Sequence, residues 1–221
     1  MWEIIASGGV VGLVIFLLSI TAVALAVGQA MSLRKAVLMP PELVEPLRDL
    51  LATGQFQAAD ALCREHPSTL SFIITNGLFD RDGEWSDIEK TLEDAIAEQS
   101  AKLYRKAEFL SVIGNIAPML GLLGTVLGMI TAFQQIAATQ GSAQGPELAR
   151  GIYQALVTTV EGLVVAIPAL GVFAFFRNRI DQLMAEVTFT VQQLFLPLKR
   201  FRRRQQAQPQ APKAPAPPVS K

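Results

Sequence analysis

Charge is the scarcest ingredient of this chain. Only 17% of its 221 residues are Asp, Glu, Lys or Arg, where a soluble domain carries about a quarter. The deficit is concentrated in windows. Ile4 to Leu33 and Phe109 to Pro146 hold no charged residue, and Gly151 to Phe176 holds only Glu161. A helix needs roughly 20 apolar residues to cross a bilayer, so each window qualifies. A mean hydropathy of +0.36 agrees, and an ordinary soluble globular protein is excluded.

Cysteine and histidine are almost missing too. Cys63 is alone, which excludes a disulfide within one chain. His66 is also alone, and metals need fuller ligand sets, so a surface loop and a helix account for the pair better than half a metal site. The sequence has no nucleophile beside a base, no phosphate-cradling loop and no ligand cluster. No enzymatic activity, metal or cofactor is expected.

What is present is organised. The first window opens Met-Trp-Glu without a basic region and is followed by Arg34 and Lys35, which predicts a retained anchor and not a cleaved leader. Arg34, Lys35, Lys102, Arg105, Lys106, Arg177 and Arg179 flank one set of helix ends, and only Arg150 flanks the other. The excess of positive charge marks the inner side. The N-terminus is therefore expected outside, with a large loop and the C-terminus inside.

The expected fold is all-α, three transmembrane helices extended by cytoplasmic helices. Residues 1–33 form an outer segment and the first span, and 34–108 a cytoplasmic helical domain. Residues 109–137 are the second span, 138–150 a short outer turn and 151–176 the third span. An amphipathic helix with a basic cluster covers 177–205, and a Pro/Ala/Gln-rich tail, expected to be disordered, covers 206–221.

Within the inner domain, Pro41 marks a helix start and Gly54 a break, and a further helix ends before Pro67. Ser86 with Glu89 reads as a capping box. Ile88, Leu92, Ile96, Leu103 and Ala107 recur at helical spacing and lead into the second span. With 14 acidic and 9 basic side chains, residues 34–108 are expected to have little core of their own and to pack on neighbouring copies. The last helix is expected to stop at Pro197. Lys199, Arg200, Arg202, Arg203 and Arg204 then suit anionic lipid better than nucleic acid.

The spans themselves carry small and polar residues. Gly114, Ala117, Gly121, Gly124 and Gly128 recur at steps of three and four, as do Ala155, Thr159, Gly162, Ala166 and Ala169. Such faces let helix backbones approach closely in lipid. Thr125 and Thr159 either bond back to their own helices or line a narrow wet path. Gln154, Thr158 and Glu161 share one side of their helix, and Thr159 lies about 200° from Glu161 at 100° per residue. A charge at mid-helix costs roughly 3 kcal/mol and faces a cavity or a partner. Glu161 is thus a proton-handling site or a structural hydrogen bond.

In "APMLGLLGTVLGMITAF" and "GIYQALVTTVEGLVVAIPA" the chain closely resembles the MotA/TolQ/ExbB proton channel family, and three spans place it nearer the ExbB/TolQ branch. The resemblance implies a homo-pentamer in a bacterial inner membrane, with a periplasmic N-terminus. It also implies a single-span ExbD/TolR-like partner that supplies a pore aspartate, and a TonB/TolA-like protein that carries the work onward. On this sequence Thr125 and Thr159 match the family's pore-lining threonines, and Pro118 and Pro168 match the prolines that bend two spans. Gln154 stands where the iron-uptake branch has a glutamate; the acid here is Glu161, two turns further along. The competing reading is a non-conducting scaffold that only positions a partner complex.

Overall fold

The computed structural model describes residues 9–80, 83–138 and 145–207, with the side chains of 146–148 and 200–207 outside the description. The tail from residue 208, the arginine side chains of the basic cluster and residues 139–144 of the short outer turn lie outside the description. Among those described, all regular structure is helical: α1 Gly9–Ser32, α2 Lys35–Leu38, α3 Pro41–Ala52, α4 Phe56–Glu65, α5 Thr69–Phe79, α6 Trp85–Ala138 and α7 Gly145–Ala207. Three of them, α1, α6 and α7, are long and apolar enough to cross a membrane. The chain divides into two compact units, and α6 and α7 contribute to both.

The first unit takes α1, the part of α6 after Gln99 and the part of α7 before Met184. Its helices are apolar outward. Val10, Leu17, Met119, Leu122, Val164 and Ile167 are all exposed, while α1 buries a thin stripe of Gly12, Ile15, Ala22 and Gln29. Gln29 is the polar member of that stripe, and its Nε2 donates to the carbonyl of Leu103 at 3.3 Å. A buried amide must find a partner to offset its desolvation.

The second unit takes Lys35–Glu98 together with α7 from Met184 onward. Here the expectation of little core is corrected. Leu43, Leu47, Ala59, Leu70, Ile73, Ile74 and Ile88 close around Val187, Val191, Leu194 and Phe195 in one buried cluster. Residues 34–108 supply most of this core, and the α7 stripe completes it. Helix α7 also continues through Pro197 to Ala207 instead of stopping there. Loss of one N–H at Pro197 is outweighed by burial of Leu194, Phe195 and Leu198 on both sides of it.

Local signals set the shorter helices. Pro41 occupies the first turn of α3, where its missing N–H costs nothing. Gly54 takes φ +74°, the left-handed conformation that glycine adopts cheaply. At α6 the cap differs from expectation. The Asp87 carboxylate accepts from the Glu84 N–H at 3.1 Å, and Glu89 instead accepts from the Trp85 indole. The box starts two residues earlier because Trp85, not Ser86, is drawn onto the unit, where Lys199 sits 5.0 Å from its ring. That contact, with Glu89 3.6 Å from the same ammonium, engages the first member of the basic cluster.

Ser68 caps α5, its Oγ accepting from the Ser71 N–H at 3.1 Å. Ser68→Ala is expected to lower the stability of this unit by about 1 kcal/mol, read as a small shift in the denaturant midpoint. Cys63 and His66 do not meet as ligands: the thiol is buried in the core and the imidazole is exposed. Burial pushes the Cys63 thiol up to about 11. The neutral form is the one that folding favours, so this contribution is complete below the thiol's ordinary range and fades as pH rises toward 11. Alkylation by iodoacetamide at neutral pH is expected to be slow in the folded chain and fast in denaturant, as followed by intact mass.

Candidate functional site: a threonine cluster in a glycine seam

Two helices can touch backbone to backbone only where side chains are missing. Along α6 the missing side chains are at Gly121, Gly124 and Gly128. A Cβ on Gly121 would lie 2.9 Å from the Thr158 carbonyl oxygen and from the Thr159 Cα. On Gly128 it would lie 2.8 Å from the Ala155 Cβ. Helix α7 answers at Gly162, whose Cβ would come 2.5 Å from the carbonyl oxygen of Ala117. Gly114 against Leu170, and Gly151 against Ala132, extend the same antiparallel seam in both directions.

The seam gathers three hydroxyls on one acceptor. Thr125, Thr158 and Thr159 each place Oγ1 within reach of the Gly121 carbonyl, at 3.0, 3.3 and 3.2 Å. Thr125 and Thr159 also lie 2.5 Å apart, oxygen to oxygen. Thr158 has a second acceptor, the Ala155 carbonyl at 2.8 Å, and is 3% exposed. A carbonyl offers two lone pairs, so the three protons cannot all settle on Gly121. Thr158 rests on Ala155, and the Thr125–Thr159 pair can run in either direction with the carbonyl as its end point.

The structure therefore brings Thr125 and Thr159 together. Thr158 is buried along one face with Ala155, Gly162, Ala166 and Ala169. Thr159 flanks that face on one side, and Gln154 and Glu161 flank it on the other, all three half-buried. Pro118 and Pro168 lie within unbroken helix. Both carboxylate oxygens of Glu161 are shielded, and neither has a hydrogen-bond partner.

This geometry, two glycine-rich spans joined by paired threonines, lies inside the segment 65–188 that matches the MotA/TolQ/ExbB proton channel family. The chain belongs to that family. Named relatives come from its ExbB and TolQ members. An ExbB homolog of Methanothermobacter thermautotrophicus is 29% identical over 180 residues, 81% of this chain and 63% of its own length. The biopolymer transport protein exbB1 of Vibrio cholerae is 40% identical over 96 residues, 43% of this chain and 42% of its own. The Tol-Pal system protein TolQ of Pseudomonas aeruginosa is 33% identical over 105 residues, 48% and 45%. The chain spans less than two thirds of the length of each.

Sequence reasoning missed the Gly121 carbonyl, because a backbone acceptor leaves no mark in a motif. It grouped Thr158 with Gln154 and Glu161 and did not show that Thr158 also joins the buried seam. The steps of four and three through Gln154, Thr158 and Glu161 are real, and Thr158 is equally three and four residues from Ala155 and Gly162, with which it is buried.

Proposed function

We propose that this chain is the channel and stator subunit of a proton-driven motor in a bacterial inner membrane, with its N-terminus in the periplasm. Five copies surround the single-span helix of an ExbD/TolR-like partner, and proton flow past that helix drives mechanical work. A TonB/TolA-like protein carries the work to transport or envelope processes. Anionic lipids engage the basic end of α7, and no nucleic acid is involved.

The observation that carries this reading is the Thr125–Thr159 hydroxyl pair on a shared carbonyl. Hydroxyls that can reverse direction without moving a heavy atom suit a path that passes protons or orders water. Membership of a proton channel family supports the same reading. The test is co-expression with the partner, native mass spectrometry to count subunits, and a pH-sensitive dye in proteoliposomes. Five copies with partner-dependent flux are expected. An assembled complex that passes no protons under any driving force would favour the scaffold.

A further inference from the structure

Glu161 is the sole charged residue between Gly151 and Phe176. Both of its oxygens are closed off from solvent by the chain itself, and neither finds a donor. An ionised carboxylate in such a place is heavily penalised unless something neutralises it. Three neutralisers are available in principle. A basic side chain is not supplied, because the window contains no Lys, Arg or His. A hard metal cation wants about six oxygen ligands, and neither oxygen of this carboxylate has a hydrogen-bond partner among the described residues. A proton needs nothing beyond the carboxylate itself.

We propose that Glu161 is a proton-binding carboxyl built into the subunit, distinct from any acid on a partner helix and selective for a proton over sodium. The carboxylate takes up one proton, becomes a neutral acid, and releases the same proton during turnover. Gln154, two turns away on the same flank, cannot titrate and leaves Glu161 as the acid of that flank. Thr159 lies on the other flank, so the two are separate stations. The inference rests on the channel reading above.

The test uses the full chain with its partner in proteoliposomes. Infrared spectroscopy is expected to give a carboxylic C=O band that shifts in D2O and disappears in Glu161→Gln, with proton flux lowered at least about tenfold, equivalent to about 1.4 kcal/mol. Dicyclohexylcarbodiimide is expected to label Glu161, as located by peptide mass spectrometry, with no protection by sodium. A band unchanged in Glu161→Gln, flux equal to wild type in that variant, or labelling suppressed by sodium each overturns the proposal. Should Glu161→Gln fail to assemble, the labelling of the wild-type complex with and without sodium decides alone. Thr159→Val separates the two readings: lost flux with the Glu161 band intact supports both, whereas a wild-type complex with the band but without flux overturns the channel reading and the turnover role together, leaving only a bound proton.

Discussion

Thr159→Val is expected to abolish partner-dependent proton flux, by at least about tenfold, while the complex assembles normally. Valine has nearly the shape of threonine, so the close passage of Gly121 against the Thr159 Cα survives. What disappears is one hydroxyl, and with it both the 2.5 Å contact to Thr125 and the 3.2 Å contact to the Gly121 carbonyl. Interhelical hydrogen bonds within membranes contribute only about 0.6 kcal/mol each to stability. Thermal stability in detergent is therefore expected to move little. The Gly121 carbonyl keeps Thr125 as a donor, so no buried acceptor is orphaned. Thr159→Ser, which restores the hydroxyl, is expected to recover flux. Wild-type flux in the valine variant, with the pair gone, would mean that protons do not need the pair.

How far the sequence disclosed this arrangement depends on the range of the signal. The seam was readable because small residues at steps of three and four leave one possible face, and Gly121, Gly124 and Gly128 lie on it. The long α6 was readable for the same reason, since Ile88, Leu92, Leu103 and Ala107 keep helical phase and are buried. The second unit was not. Val187, Val191, Leu194 and Phe195 announce an amphipathic helix, but nothing in their spacing says that they complete the core begun at Leu43 and Leu47. That pairing crosses more than a hundred residues, and hydrophobic periodicity is blind to it. At the start of α6, Ser86 with Glu89 and Glu84 with Asp87 are overlapping frames for a cap. The choice fell to Trp85, whose ring lies beneath Lys199 and whose indole reaches Glu89.

Gly162→Ala and Gly171→Ala are expected to act in opposite directions, although both put a methyl on α7. Alanine is favoured over glycine in a helix by about 1 kcal/mol. At Gly171 nothing lies within 4 Å of the new Cβ, so that preference is collected and the variant is expected to be as stable as wild type or slightly more so. At Gly162 the methyl would meet the Ala117 carbonyl oxygen at 2.5 Å and the Gly121 Cα at 3.4 Å. Both are backbone atoms, so no rotamer change relieves the clash and the helices must separate. Overpacking of this kind costs about 1–3 kcal/mol, and a rigid backbone contact belongs at the upper end. A net loss of about 2 kcal/mol after the propensity gain is expected, measured as a lower melting temperature in detergent. Separation at Gly162 also pulls α7 away from Gly121, and so draws Thr159 off its carbonyl. Gly162→Ala is therefore expected to lose flux and stability together, where Thr159→Val loses flux alone. If Gly162→Ala melts like wild type and conducts, the two spans do not pack at this register, and the threonine pairing that depends on it fails as well.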